Sequence, residues 1–189
     1  MNTQFEHAYV INVMSDDHPG IVAAVGNAVR ELGGNIDSAS QTVLSGYFTL
    51  IMIISLPEEL QADELAQRVR QAHPRDSLQV MARPFEPASG CDEDCETFVI
   101  TAFGPDRQGV LLSFSQYLAG RDINIVDLYA DRREGDFMLI SQVQIPKHFD
   151  ISLLQADLEQ LGQEMGFAVR LQHENIFVAT NQLRLVGNQ

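Results

Sequence analysis

The strongest constraint on this chain is that it states one pattern twice. Residues 9–58 align with residues 98–147 at a constant offset of 89, without a gap over 50 positions. Eleven of those 50 pairs are identical: Val10/Val99, Ile11/Ile100, Asp17/Asp106, Gly20/Gly109, Asn35/Asn124, Ile36/Ile125, Gly46/Gly135, Phe48/Phe137, Leu50/Leu139, Ile51/Ile140 and Pro57/Pro146. Average residue usage would give roughly three by chance. Other pairs keep their apolar character, among them Ile21/Val110, Val25/Phe114 and Val29/Leu118. A unit of about 85 residues is too long for a solenoid repeat and is the size of a small domain. The predicted organisation is one domain over residues 1–86, an acidic linker over 87–95, and a second domain with a C-terminal tail over 96–189.

Each half reads as strand, helix, strand, strand, helix, strand. In the first half, residues 8–14 are apolar and rich in strand formers, and Ser15-Asp16-Asp17-His18-Pro19-Gly20 breaks the run. Pro19 suits a first helical turn, and Asp17 or Ser15 is positioned to cap it. Ile21, Val22, Val25, Val29 and Leu32 recur at helical spacing, and Gly33-Gly34 stops the helix. Residues 35–44 form a more polar strand, Ser45-Gly46 a turn, and residues 47–56 the most apolar strand. A helix with Leu60, Leu65 and Val69 inward and a strand over 77–85 close the unit. The second half repeats this order with strands over 97–103, 124–133, 137–145 and 167–175. Its helical stripes are Val110, Leu111, Phe114 and Leu118, then Leu153, Leu154, Leu158 and Leu161. Residues 182–186 have the character of a short extra strand.

This order predicts an α+β class: two ferredoxin-like βαββαβ sandwiches, each an antiparallel sheet with two helices on one face. The second strand of each unit falls at a sheet edge, in keeping with Ser38, Gln41 and Thr42. The other sheet face must be polar or covered, so a homo-oligomer is expected.

Composition excludes several functions. The chain has 189 residues, 45% hydrophobic and 20% charged, with a net charge of −14. It can bury a core in each half. An acidic surface repels phosphate backbones, so direct nucleic-acid binding is not expected. No apolar run reaches the roughly 18 residues that span a bilayer, and the N-terminus has no basic-then-apolar signal. No membrane contact and a cytoplasmic location are therefore expected.

Chemistry concentrates at the break between first strand and first helix, present as Asp16-Asp17-His18-Pro19-Gly20-Ile21 and as Pro105-Asp106-Arg107-Gln108-Gly109-Val110. Its expected partner is the start of the second strand, Asn35-Ile36 and Asn124-Ile125, placed at the same end of the sheet. A helix N-terminus offers N–H groups and partial positive charge to a carboxylate. Gly20 and Gly109 let backbone approach a ligand closely, and an Asn amide offers both donor and acceptor to a zwitterion. The same glycines and asparagines also have purely structural readings, in turn geometry and in helix-on-sheet packing.

The pattern Asp17-His18-Pro19-Gly20-Ile21-Val22 followed by Gly33-Gly34-Asn35-Ile36 resembles the ACT domain. The second copy, Asp106-Arg107-Gln108-Gly109-Val110-Leu111 with Ile123-Asn124-Ile125, is looser and has Gln108 where proline is usual. The resemblance covers about residues 7–86 and 96–176. It implies a βαββαβ fold and an amino-acid effector, with Asp17, His18, Gly20, Ile21, Asn35 and Ile36, and Asp106, Arg107, Gly109, Val110, Asn124 and Ile125, as ligand-binding residues. Two such domains and little else resemble the glycine cleavage system transcriptional repressor family. That resemblance implies glycine as effector and a DNA-binding activator as protein partner.

Other motifs point nowhere sharper. Cys91-Asp92-Glu93-Asp94-Cys95 matches no common zinc spacing, and its thiols are expected to stay free in a reducing compartment. Of the five histidines, His18 falls in the candidate loop; His7, His73, His148 and His173 are expected at the surface. No nucleophile and base can be nominated together, so no catalytic residue, metal or cofactor is expected. The expected function is a non-enzymatic, amino-acid-sensing regulator of transcription that works through protein contact. The alternatives are a regulatory subunit of an amino-acid metabolic enzyme, to which the resemblance of the first motif to formyltetrahydrofolate deformylases points, and a ligand-free assembly module. In the sensing picture the two domains pair through their second strands.

Overall fold

The structure is a computed structural model that describes residues 3–73, 78–86 and 94–185. Two compact units divide the chain, Met1–Ala88 and Ser89–Gln189. Most of the linker expected at 87–95, with Cys91, lies outside the described residues.

The first unit runs β1 (His7–Asp16), α1 (Ile21–Glu31), β2 (Asn35–Leu44), β3 (Tyr47–Leu56), α2 (Ala62–Gln71) and β4 (Gln79–Pro84). The second runs β5 (Cys95–Pro105), α3 (Val110–Ala119), β6 (Asn124–Arg133), β7 (Asp136–Pro146), α4 (Ile151–Met165), β8 (Ala168–His173) and a further helix, α5 (Glu174–Leu185). The sheets have matching orders, β2-β3-β1-β4 and β6-β7-β5-β8, all antiparallel. The βαββαβ sandwich is thus present twice, with β2 and β6 at sheet edges.

Strand alternation explains the cores. Tyr9, Ile11 and Val13 of β1 and Phe48, Leu50, Met52 and Ile54 of β3 point to the helix side, where they meet Ile21, Val25 and Val29 of α1 and Leu65 and Val69 of α2. Full burial of one such aliphatic side chain contributes about 1.5–3 kcal/mol. The second core repeats this with Phe98, Ile100 and Ala102 of β5, Leu139 and Val143 of β7, Val110, Phe114 and Leu118 of α3, and Leu154 and Leu158 of α4.

The fine structure of the repeat is shared as well. The β2–β3 turn holds Ser45 at φ 52° and Gly46 at φ 86°, and the β6–β7 turn holds Glu134 at φ 53° and Gly135 at φ 96°. Two successive residues with positive φ make the tight reversal that suits a twisted hairpin. Both edge strands shift register at the same place, between Ile36 and Ser38 and between Ile125 and Asp127.

Several expectations need correction. Val22, Leu111 and Leu153 follow helical spacing yet are exposed. Each neighbours a residue that takes the inward position (Ile21, Val110, Leu154), and the buried arc is narrower than the apolar stripe. Leu60 packs on the core from the residues before α2 rather than from within it. Residues 182–185 belong to α5, not to a strand, and α5 already begins at Glu174. Cys95 is disulfide-bonded, so the expectation of free thiols fails for it.

Candidate functional site

The β1–α1 loop shows how backbone geometry builds a site. Gly20 is the N-cap of α1 at φ 105°, a left-handed conformation that side-chain-bearing residues rarely adopt. Among the described residues a Cβ there would meet the His73 imidazole Nε2 alone, at an ordinary 3.9 Å, so the left-handed conformation is what requires the glycine. No side chain caps the helix, which corrects the expected capping by Asp17 or Ser15; Pro19 likewise precedes the helix. The cap position is held by Gly20, which has no side chain, and the loop is fixed by another attachment. Asp17 donates its N–H to the Gly46 carbonyl at 2.8 Å, which ties it to the β2–β3 turn. The first helical bond runs from the Ala24 N–H to the Gly20 carbonyl at 2.9 Å. The N–H groups of Ile21, Val22 and Ala23 precede that bond, and they carry the positive end of the helix dipole.

These groups line a broad cleft of about 560 Å³ formed by Asp17, His18, Pro19, Gly20, Ile21, Val22, Ala23, Gln41 and Phe48. His18 Nδ1 lies 3.0 Å from the Pro19 carbonyl, so its ring donates there when the proton sits on Nδ1. The His73 ring packs on His18 with centroids 5.1 Å apart. Ile21 is buried, so its contribution to a ligand is its backbone alone. The cleft therefore combines helix N–H donors, a carboxylate, an imidazole, an amide and apolar walls, which suits a small polar molecule carrying an anionic group.

Asn35 and Ile36 are not in this cleft. Asn35 pairs with Ser55 on β3, and Ser55 pairs with Ala8 near the start of β1, whereas the loop follows Asp16 at its end. Ala8 and Asp16 are eight strand residues apart, about 27 Å. The expectation that both lie at one end of the sheet fails for a topological reason. A helix that returns along the sheet delivers the chain to the opposite end before β2 begins. Asn35 instead donates Nδ2 to Asp37 Oδ1 at 2.8 Å, and the Gln4 N–H donates to the same oxygen at 3.1 Å. Burial pushes the Asp37 carboxyl up, but hydrogen bonds from Ser55, Asn35 and Gln4 outweigh it and hold the group below the usual carboxylate value.

The second unit repeats the scaffold with other side chains. Gly109 caps α3 at φ 89°, and the Asp106 N–H donates to the Gly135 carbonyl at 2.9 Å. Here the Asp106 carboxylate accepts from Arg132 Nε at 2.8 Å. Arg107 and Gln108 replace His18 and Pro19, Ala130 stands where the first unit has Gln41, and Val110 is buried like Ile21. Asn124 and Ile125 lie at the far end of their sheet, as Asn35 and Ile36 do.

Two cleft-lining residues outside the loop and helix start, Gln41 and Phe48, escaped sequence reasoning. Gln41 and Phe48 sit on β2 and β3, and only the register that brings those strands beside the loop reveals them. His73, expected at the surface, is half-buried against His18. His173 is also not a plain surface residue, since its ring meets Phe98 edge-on at 5.2 Å. Among the described residues no cluster of three or more metal-ligating side chains occurs, and no helix is long and apolar enough to cross a membrane.

A duplicated βαββαβ sandwich with a glycine opening the first helix of each copy defines a tandem of one small α+β module. The chain belongs to the ACT-domain family: ACT domain profiles match residues 9–74 and residues 96–172. Curated relatives match over about one unit's length. The UPF0237 protein of Methanococcus maripaludis is 41% identical over 83 residues, covering 43% of this chain and 92% of that protein. The UPF0237 protein of Methanosarcina acetivorans is 33% identical over 81 residues, covering 42% and 88%. Among solved structures, an unknown protein from Galdieria sulphuraria shares the fold with a TM-score of 0.72 at 23% identity, covering 88% of this chain and 98% of that one. A provisionally named glycine cleavage system transcriptional repressor does so with a TM-score of 0.65 at 20% identity, covering 89% and 98%.

Proposed function

We propose that this ACT-domain regulatory protein is a non-enzymatic amino-acid sensor whose first unit holds the effector in the β1–α1 cleft. The observation that carries this reading is the cleft itself, in which the N–H groups opening α1 lie beside Asp17, His18 and Gln41. In it the effector carboxylate takes the helix N–H groups and His18, and the ammonium takes Asp17. Glycine is the effector suggested by resemblance. The acidic chain then acts in the cytoplasm through a protein partner, a DNA-binding activator, and not by touching DNA itself. Asn35 holds the start of β2 through Asp37 and lies outside this cleft, and Asn124 opens β6 in the same position.

A thermal-shift titration with glycine and the other amino acids tests this, because a ligand that binds only the folded state raises the midpoint by mass action. The expected result is a saturable shift with one small amino acid, weakened about tenfold by Gln41→Ala, a change of about 1.4 kcal/mol, and retained in Asn35→Ala. Loss of the shift in Asn35→Ala but not in Gln41→Ala would place the effector elsewhere. Oligomerisation indifferent to every amino acid would favour the assembly reading.

A further inference from the structure

The two sheets treat their helix-free faces differently. In the second unit α5 follows β8 without a connecting loop; the Asn175 N–H donates to His173 Nδ1 at 3.2 Å as the chain turns back. The helix lies over the helix-free face and is pinned by Gln142 Nε2 donating to Glu174 Oε1 at 2.7 Å. The register sets the floor beneath it. Asp127, Gln142, Val99 and Gln172 form one row across the four strands, and Tyr129, Ile140, Thr101 and Arg170 the next. Val99 points away from the main core yet is only 5% exposed.

Between α5 and these rows remains a cavity of about 220 Å³, with Val99, Ile140 and Tyr129 below and Phe177 and Val178 above. Its polar lining includes Asp127, Gln142 and Glu174, and none of the described lining residues is basic. One oxygen of each carboxylate is engaged, Asp127 Oδ1 by the Leu128 N–H at 2.9 Å and Glu174 Oε1 by Gln142. Two carboxylates over an apolar floor, flanked by two aromatic rings, select for positive charge on a short apolar body. We propose that this cavity is a second ligand site, specific for a small organic cation such as a primary amine, and separate from the effector cleft of the first unit. An amino acid is disfavoured there, because its carboxylate would face Asp127 and Glu174 with no cation among the described lining residues.

Butylammonium and 1-butanol, nearly equal in shape, distinguish charge recognition from filling of an apolar hole. In amide NMR titrations of the full chain, butylammonium should give saturable shifts at residues of β6, β7 and α5, with 1-butanol at least about tenfold weaker. Asp127→Asn should weaken butylammonium about tenfold and leave 1-butanol unchanged; Asp127 takes no part in the Gln142–Glu174 bond that pins α5, so that tie is kept. Glu174→Gln should do the same to butylammonium. Equal binding of both probes, or shifts scattered over the acidic surface without saturation, would overturn the proposal. So would butylammonium binding unaffected by Asp127→Asn. A glycine response in the first unit is read independently, so either site can fail alone.

Discussion

The two β1–α1-type loops share a backbone and differ in chemistry. Both place a left-handed glycine at the helix start, and both tie an aspartate N–H to the neighbouring hairpin turn. In the first unit the loop borders a cleft completed by Gln41 of β2. In the second, Arg132 of β6 reaches the loop and binds Asp106, where the first unit has Val43. Duplication thus preserved the groups that the backbone needs and released the side chains that a ligand would read. A recurring glycine or asparagine marks the fold; the edge-strand residues facing the loop are where the two copies differ.

The comparison is most directly tested through the cores. Leu50 and Leu139 are equivalent and buried. Leu50→Ala and Leu139→Ala should each cost about 2–5 kcal/mol, measured by denaturant unfolding; a marked inequality would mean that the two copies no longer share one packing scheme. Gly20→Val and Gly109→Val come next. Each forces a β-branched residue to a φ near +90° to +105°, at about 1–3 kcal/mol. Equal losses in thermal or chemical unfolding would show that these glycines serve the backbone in both units, whatever either loop binds.

A third test uses a feature of the second unit alone. Tyr117 of α3 donates to Asp157 Oδ2 of α4 at 3.0 Å, and Arg121 lies 3.8 Å over its ring while binding the same carboxylate at 3.2 Å. Ala28, Leu32 and Arg68 occupy these positions in the first unit or its matching helix, so no such clamp forms there. Burial, and then the hydrogen bond to Asp157, push the Tyr117 phenol up to about 12 from 10.0. A raised folded value means that its stabilisation is complete below pH 10 and is lost as pH rises from about 10 through about 12. Tyr117→Phe should flatten the alkaline decline in that window, and absorbance titration should find one tyrosine ionising late. An unchanged alkaline profile would remove the clamp from the comparison.

The smallest effect belongs to the second loop's ion pair. Arg132 is largely exposed, so Arg132→Val should cost less than about 1 kcal/mol, and the difference should shrink in high salt. Its value is in sharpening the functional contrast. If the pair keeps the second loop from binding, Arg132→Val combined with Ala130→Gln should create a new response to the first unit's effector. If it does not, the pair is not what separates the copies.

Much of the fold was legible because it is written in short-range pattern. The apolar run of residues 47–56, the turn signals at Ser45-Gly46 and Glu134-Gly135, the polar character of residues 38–42 and the repeat itself led to the element order and to the edge strands. The helix N-terminus was legible only in part: a side-chain cap was expected, whereas the cap position is taken by Gly20 in left-handed geometry, which has no side chain to offer. Val22, Leu111 and Leu153 misled for a related reason. Helical spacing reports apolar character, while the width of the buried arc depends on how close the sheet lies.

By itself the sequence determined that there are two copies of one sandwich, with their strand order and their shared glycine-turn devices, because local backbone chemistry and hydrophobic periodicity carry that information. Tertiary structure alone decided which residues meet. The return of α1 along the sheet put Asn35 level with Ala8, about 27 Å of strand from Asp16, where the loop begins, and the β2–β3 register brought Gln41 and Phe48 to the loop. Such meetings are set by topology and register, which join positions far apart in the chain, and no local pattern records them.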